Sequence, residues 1–138
     1  MASAVLAADQ AAKWLALKFL SHVPTVPVLP GIFHLTLVRN SGVAFGLFQG
    51  QGLWITLGTL AILAGLFRAA LRPEGGKWAP ICLALILGGA VGNLMDRMRF
   101  GGVIDFLDFR IWPVFNLADS CITVGAALLA VSFWRGKA

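Results

Sequence analysis

The chain has 138 residues, of which 59% are hydrophobic and only 12% are charged, and its mean hydropathy is +0.85. Soluble domains carry about 25% charged residues, so the surplus of apolar residues indicates a membrane protein. The net charge is +5, but the basic residues are scattered and form no patch interleaved with aromatic residues. This distribution argues against a nucleic-acid partner, and anionic lipid headgroups explain the basic balance more simply.

The cysteines and histidines give no sign of a metal site or of a disulfide framework. Cys82 and Cys121 lie within apolar runs, and no CxxC or Cys/His spacing is present. We interpret both cysteines as small packing residues between helices. His22 and His34 have no acidic neighbour, and we interpret them as interfacial or loop residues. We expect neither a metal ion nor a cofactor.

Four apolar stretches are long enough to cross a membrane as helices, which takes about 20 mostly apolar residues. They cover residues 2–20, 53–71, 78–95 and 115–134. The first stretch contains Asp9 and Lys13, which are four residues apart and can therefore pair on one helical face. No basic segment precedes this stretch and Asp9 interrupts it, so we interpret it as a retained membrane helix rather than a cleaved signal peptide.

The link between the first two stretches, about residues 22–52, predicts a small β structure. Residues 33–39 are rich in β-branched side chains and alternate in polarity. Residues 40–42 (Asn-Ser-Gly) supply a turn, and residues 43–45 resume the alternation. This arrangement is typical of a β-hairpin.

The remaining links connect the helices. Residues 72–77 form a short polar turn, and residues 97–113 are too polar to cross a membrane. The sequence therefore predicts an all-α membrane protein of one domain, residues 1–138, with four transmembrane helices and a small extramembrane β-hairpin or cradle on the outer face.

The basic residues bear on the orientation of these helices. Four spans place both termini on one side, and the basic residues on that side are Arg68, Arg72, Lys77, Arg135 and Lys137. The positive-inside rule favours a cytoplasmic location for this side. The opposite side carries Lys18, Arg39, Arg97, Arg99 and Arg110, so charge alone leaves the orientation open.

Four of the six acidic residues lie in or beside the apolar runs, namely Asp9, Asp96, Asp105 and Asp119. A carboxylate in such a place is costly and marks a functional site by default. Asp96 and Asp119 each follow an asparagine, Asn93 and Asn116, by three residues. On a helix this spacing puts the amide and the carboxyl on one face. We expect these groups and Asp105 to converge near the outer boundary of the membrane.

Paired carboxyl groups predict the chemistry of an aspartic hydrolase. Two carboxyls within hydrogen-bonding distance share one proton, so one can activate a water while the other protonates a peptide carbonyl. Spacing leaves two pairs open, Asp105 with Asp119 and Asp96 with Asp119. We favour the first pair, because Asp96 can form an ion pair with Arg97 and the apolar neighbours of Asp105 would hold it rigidly. We interpret Asp108 as a solvated loop acid.

A structural interpretation of the same residues is also open. The two Asn-x-x-Asp phrases could simply join neighbouring helices through interhelical hydrogen bonds. Three glycines just before Asn93, namely Gly88, Gly89 and Gly92, would allow the close helix approach that such bonds require.

Five motifs, in order along the chain, resemble those of bacterial lipoprotein signal peptidase, also called signal peptidase II. The first is the acidic first-helix motif at residues 9–13, and the second is the Asn-x-Gly-x-Ala-aromatic loop at residues 40–45. The family's third-helix signature resembles residues 88–97, and the two segments that carry its catalytic acids resemble residues 103–106 and 115–120. The resemblance covers nearly the whole chain.

The resemblance implies an intramembrane aspartic endopeptidase that removes the signal peptide from diacylglyceryl-modified prolipoproteins, cutting before the lipidated cysteine. It also implies a multi-pass protein of the bacterial cytoplasmic (inner) membrane, with both termini cytoplasmic, a site near the outer face, inhibition by globomycin and no cofactor. By motif match, Asp105 and Asp119 become the catalytic pair. The substrate-binding or supporting residues would be Asn40, Gly42, Asn93, Asp96, Arg97, Asn116, Ala118, Asp9 and Lys13.

Two other classes of function fit a small membrane chain. One is a transporter or proton-conducting subunit, and the other is a structural membrane partner without activity. A proton path should spread its acids through the depth of the membrane, whereas three acids here are expected at one boundary and only Asp9 lies apart. Globomycin-sensitive cleavage of a lipidated prolipoprotein would distinguish the peptidase from both.

Overall fold

The computed structural model describes residues 1–42, 52–70 and 78–135, which form four helices and three strands. The helices are α1 (Ala2–Leu20), α2 (Gly52–Ala70), α3 (Ala79–Phe100) and α4 (Leu117–Arg135). The strands are β1 (Val26–Leu29), β2 (Phe33–Asn40) and β3 (Val103–Asp108). The mostly helical architecture expected from the sequence is confirmed. The helices lie within a few residues of the four apolar stretches, except that α3 continues five residues beyond the expected end at residue 95.

The longer α3 ends where its backbone can turn. The polar residues after residue 95 end the apolar run, but they remain helical up to Phe100. Gly101 then adopts a φ of 70°, in the left-handed region that glycine enters most easily, and its N–H donates to the Arg97 carbonyl at 2.9 Å. This cap ends the helix and directs the chain into β3.

The three strands form one antiparallel sheet in the order β1-β2-β3. The hairpin expected from residues 33–45 takes a different form, because β2 pairs with β1 before it and with β3 from the third link. Residues 43–45 lie outside the described residues. β1 escaped the sequence analysis because Pro27 argues against a strand, although proline is tolerated on an edge strand such as this one. Of the two interpretations of His34, the loop was wrong, because His34 lies within β2.

The sheet lies at one end of the helices, where α1 and α3 end and α4 begins. Ala16 and Leu20 of α1 pack with Phe106 of β3 in a buried apolar cluster, against which Leu35 and Leu37 of β2 also pack. This cluster fixes the sheet to the helical layer. It places the side chains of β3 next to the first turn of α4.

α3 contacts both α1 and α4, and glycines bring the helices together. A Cβ on Gly89 would lie 2.6 Å from the Ala118 carbonyl oxygen of α4, and one on Gly88 would lie 2.6 Å from the Ala2 carbonyl oxygen of α1. Side chains have no room there, so the close approach expected for these glycines is present. Among the described residues, α3 is the one helix whose length and apolar composition suffice to cross a membrane.

Candidate active site

The first turn of α4 is closed by a reciprocal pair of hydrogen bonds. The Asp119 N–H donates to Asn116 Oδ1 at 2.8 Å, and the Asn116 N–H donates to Asp119 Oδ2 at 3.3 Å. This is a capping box, in which residues three apart satisfy backbone N–H groups at the start of a helix. The phrase Asn116-x-x-Asp119 therefore marks a helix N-terminus. The helix dipole at this end favours a negative charge on Asp119.

Asp105 reaches the same place from β3. Its side chain is buried, and its two oxygens accept hydrogen bonds from Asn116 Nδ2 at 2.6 Å and from Asn40 Nδ2 at 3.1 Å. Asn40 pairs with Val103 across the sheet, so its side chain lies diagonally across from Asp105 on the same face. A hydrogen bond from the Gly42 N–H to Asn40 Oδ1, at 3.0 Å, holds the end of β2 in an Asx-turn.

The environment of Asp105 disfavours its charged form. Burial raises the pKa of Asp105 to about 6, with a further contribution from the negative charge of Asp119. The hydrogen bonds from Asn40 and Asn116 and the charge of Lys13 act in the opposite direction, but they do not cancel the shift. A carboxyl with such a pKa can hold a proton near neutral pH and still release it.

Asn93 of α3 joins the two acids into one network. Its Nδ2 donates to Asp119 Oδ1 at 2.8 Å, and its Oδ1 accepts from Asn116 Nδ2 at 3.2 Å. The spacing places Asn93 on the same face of α3 as Asp96, but its amide donates across to α4 instead. Asp105 and Asp119 are thus held by asparagine amides from three different elements.

A second cluster of charges lies buried beside this network. The Lys13 ammonium is 2% exposed and lies between Asp9 Oδ2, at 2.9 Å, and Asp96 Oδ2, at 2.7 Å. The pairing of Asp9 with Lys13 on one face of α1 is confirmed. Asp9 Oδ1 also accepts from the Ala118 N–H at 2.9 Å, which ties α1 to the first turn of α4. These acids are held by a cation, in contrast to Asp105 and Asp119.

A cavity of about 260 Å³ opens at the amide-bound acids. Asp105 and Asp119 both line it, together with Asn40, Gly42, Asn93 and Arg97. The apolar part of its wall is formed by the β3–α4 link and by the outer side of α4, at Trp112, Pro113, Val114, Phe115 and Ile122. Asp9, Lys13 and Asp96 do not line the cavity. Within the described residues, no group of three or more His, Cys, Asp or Glu side chains could hold a metal ion.

Comparison with known proteins identifies the relationship. The model of a family described as signal peptidase (SPase) II matches residues 1–135. This chain belongs to the signal peptidase II family. The resemblance seen in the five sequence motifs is therefore confirmed.

Individual relatives agree with the family match. The lipoprotein signal peptidase of Halothermothrix orenii is 42% identical over 131 residues, covering 95% of this chain and 90% of that protein. The lipoprotein signal peptidase of Pelotomaculum thermopropionicum is 45% identical and covers 91% of this chain and 84% of its own length. A bacterial membrane enzyme solved by the in meso method at 2.3 Å resolution matches with a TM-score of 0.90 at 28% identity, covering 99% of this chain and 87% of that one.

Two expectations about the charged residues of this signal peptidase were wrong. Arg97 was expected to pair with Asp96, but Asp96 pairs with Lys13 and also accepts from the Ile104 N–H at 3.2 Å. Arg97 is half-buried and lines the cavity, and among the described residues no ion pair or hydrogen bond of its side chain is found. The guanidinium therefore faces the same space as the two amide-bound acids.

Asp108 was expected to be a solvated loop acid, but it is a buried residue of β3. Burial alone would raise its pKa, yet hydrogen bonds from Thr36 Oγ1 at 2.7 Å and from the Arg110 N–H at 2.8 Å lower the pKa of Asp108 overall. These bonds make Asp108 a structural acid of the sheet.

The sequence analysis missed Gln10, which closes the ionic cluster on its outer side. Gln10 Nε2 donates to Asp96 Oδ1 at 3.1 Å, and its Oε1 accepts from Arg99 Nη1 at 3.3 Å. In the sequence, the feature that pointed to Gln10 was its position directly after Asp9. The partners of Gln10 lie on α3, so only the packing of α1 against α3 gives it this function.

Proposed function

We propose that this chain is an intramembrane aspartic endopeptidase that removes the signal peptide from diacylglyceryl-modified prolipoproteins, cutting before the lipidated cysteine. Removal of signal peptides follows from membership in the signal peptidase II family. The lipoprotein substrate is supported by relatives that carry the name lipoprotein signal peptidase. We assign catalysis to Asp105 and Asp119.

One observation carries the assignment of the pair. Asp105 and Asp119 come from different elements, line one cavity and share Asn116 as a hydrogen-bond partner. Asp96 is the alternative partner that spacing left open, but it is buried against Lys13 and does not line the cavity. An acid that is already neutralised by a buried cation is a poor proton donor or acceptor.

The mechanism follows from the different surroundings of the two acids. Burial disfavours a charge on both acids, but Asp119 also lies at a helix N-terminus, which favours its ionised form, so we assign the proton to Asp105. Asp119 takes a proton from a water whose oxygen attacks the scissile carbonyl carbon, while Asp105 gives its proton to the carbonyl oxygen. The C–N bond then breaks as Asp119 returns its proton to the leaving nitrogen. Asp105 regains its proton from a hydroxyl of the intermediate, and a carboxyl product is left.

The remaining polar residues support the substrate or the pair. Asn40, Asn93 and Asn116 hold the two carboxyls, and Gly42 fixes Asn40. The guanidinium of Arg97 lines the cavity beside the two acids, where it would bind a backbone carbonyl of the substrate. Ala118 and Asp9 fix the first turn of α4 through the hydrogen bond between them.

We place all four helices across the bacterial cytoplasmic membrane, with both termini in the cytoplasm. The direction of the helices supports this arrangement, since α1 and α3 end, and α4 begins, at the side where the sheet lies. The sheet and the two acids would then lie near the outer face, where a secreted precursor arrives. The 138 residues would form a single integral-membrane domain.

The apolar wall of the cavity suits a lipidated substrate. Trp112, Val114 and Ile122 line the side of the cavity next to α4. We propose that the diacylglyceryl chains enter sideways from the bilayer along this wall, so that the scissile bond lies between Asp105 and Asp119. Globomycin would bind in the same cavity and compete with the substrate.

The test is cleavage of a diacylglyceryl-modified prolipoprotein by the purified chain and its variants. Asp105→Asn and Asp119→Asn should each lower kcat by at least about 10³-fold, because positioned acid–base groups contribute roughly 10²–10⁴-fold each. Asp108→Asn, the same change three residues further along β3, should retain cleavage within a few-fold.

Several outcomes would contradict the proposal. Retained cleavage by Asp105→Asn together with inactivity of Asp96→Asn would transfer the role to Asp96. Absence of globomycin-sensitive cleavage by the unmodified chain would refute the proposed peptidase function itself. All variants must be shown to insert in the membrane in equal amounts.

A further inference from the structure

Each asparagine that holds the catalytic pair is fixed in one orientation by a group that can only donate. Asn40 Oδ1 accepts from the Gly42 N–H, and Asn116 Oδ1 accepts from the Asp119 N–H. An amide whose oxygen faces an obligate donor must turn its NH₂ group the other way. Both NH₂ groups therefore face Asp105.

Asn93 is fixed in the same manner, but by a side chain. Its Oδ1 accepts from Lys13 Nζ at 2.8 Å and, at the longer distance of 3.2 Å, from Asn116 Nδ2. The ammonium is the nearer donor, and it has three donors and no acceptor. If Asn93 were flipped, its NH₂ would face the ammonium and its oxygen would face Asp119. The observed orientation directs Nδ2 to Asp119 Oδ1 at 2.8 Å.

We propose that Lys13 is a positioning residue for catalysis, which acts through Asn93 to present an N–H donor to Asp119. This inference rests on the proposed function, since it takes Asp119 as the base of the pair. Lys13 belongs to α1, and the chemistry takes place on β3 and α4. The first helix would thus control the donor that one catalytic acid receives.

The surroundings of Lys13 keep its ammonium in place. Asp9 binds it from the same helix and Asp96 from α3, at 2.9 and 2.7 Å. With Asn93 as third acceptor, the three donors of the ammonium each have a partner within 2.9 Å. An ammonium group has no acceptor, so it cannot exchange roles with Asn93. Asp9 and Asp96 therefore fix the position of the Lys13 ammonium, which in turn fixes the orientation of the Asn93 amide.

Lys13 also affects the pair through its charge. The groups that face it or the pair are Asp9, Asp96, Asp105, Asp119 and the guanidinium of Arg97. The positive charge of Lys13 lowers the pKa of Asp105, so its removal should raise that pKa. The fall of kcat/KM at high pH, which reports loss of the proton from Asp105 in the free enzyme, should then move to higher pH.

A double-mutant cycle on the full chain tests the proposal. Lys13→Met and Asn93→Ala should each lower kcat by roughly 10- to 100-fold, the usual effect of losing a hydrogen bond to a charged group. If Lys13 acts through Asn93, the double variant should be no slower than Asn93→Ala alone, within about threefold. Lys18→Met, an exposed lysine on the same helix, should stay within twofold of the native rate.

Lys13→Met leaves two buried acids without a cation, which should destabilise the fold. A second variant therefore separates the loss of catalysis from misfolding. Lys13→Met with Asp96→Asn keeps the formal charge of the native Asp9–Lys13–Asp96 trio. This variant should lose the same activity as Lys13→Met in a folded background.

Two outcomes would overturn the positioning role. In one, the losses from Lys13→Met and Asn93→Ala multiply in the double variant. In the other, the charge-balanced variant keeps near-native kcat. Either result leaves the proposed function intact as long as Asp105→Asn and Asp119→Asn remain inactive. Retained cleavage by those two variants would instead refute the catalytic pair.

Discussion

Two groups of buried aspartates lie side by side in this molecule, and their partners differ. Asp9 and Asp96 are bound to the Lys13 ammonium at 2.9 and 2.7 Å. Asp105 and Asp119 are bound by amide and backbone N–H groups, and among the described residues neither forms an ion pair within 4.0 Å.

The difference shows how one residue type can serve two purposes. A buried cation compensates the charge of a carboxylate permanently, because removing either partner leaves the other as an uncompensated buried charge. Neutral amides satisfy the hydrogen bonds of a carboxylate without neutralising it, so that it can still exchange a proton. The ion-paired acids suit structure, and the amide-bound acids suit catalysis.

The largest effect on stability is expected from breaking the ion-paired group. Asp96→Asn should lower the free energy of unfolding by about 3 kcal/mol or more, as is usual when one partner of a buried ion pair is removed. Arg110→Met should cost less than about 1 kcal/mol, because Arg110 is half-exposed in its pair with Asp108. Unfolding in detergent micelles measures both. Equal losses would contradict a structural role specific to the buried cluster.

A smaller loss is expected from crowding the same cluster. A Cβ on Gly92 would clash with Asp9 Oδ2, which Lys13 holds in place. Gly92→Ala should therefore lower the free energy of unfolding by about 1–3 kcal/mol. Gly58→Ala on α2 meets open space and should be neutral or slightly stabilising. A neutral Gly92→Ala would mean that Asp9 can move away from α3 at no cost.

The smallest effect concerns the amide-bound group and its titration. The hydrogen bond from Asn40 lowers the pKa of Asp105 from what burial alone would give, so Asn40→Ala should raise it further above about 6. The fall of kcat/KM at high pH should move upward by less than about one pH unit, the equivalent of one hydrogen bond. Thr36→Val removes a β2 hydroxyl that binds Asp108 instead, and it should leave the pH profile unchanged.

Local spacing predicted the contacts within one helix and little beyond them. Asp9 and Lys13 are four residues apart on α1, so their pairing follows from helical geometry. Asn93 is three residues from Asp96, yet its amide binds Asp119 on α4, 26 positions away. Nothing in the spacing gives that partner, because it depends on how closely α3 approaches α4.

The strands illustrate the same limit. The β-branched run at residues 33–39 indicated β2, but its partner strands β1 and β3 come from two different links. Pro27 concealed β1, and the strand-like context of Asp105 was not extended to Asp108, the last residue of β3. Asp108 was misjudged for this reason, since its burial comes from pairing with β2 rather than from its neighbours in the chain.

The capping box of α4 has a consequence for the assembly of this chain. Asn116 and Asp119 form the start of the helix and also belong to the candidate active site. Asp9 of α1 accepts a hydrogen bond from a third N–H in that turn. The hydrogen bond from the Ala118 N–H to Asp9 exists only when α4 is docked on α1. The first turn of α4 therefore has its full set of acceptors only in the assembled bundle.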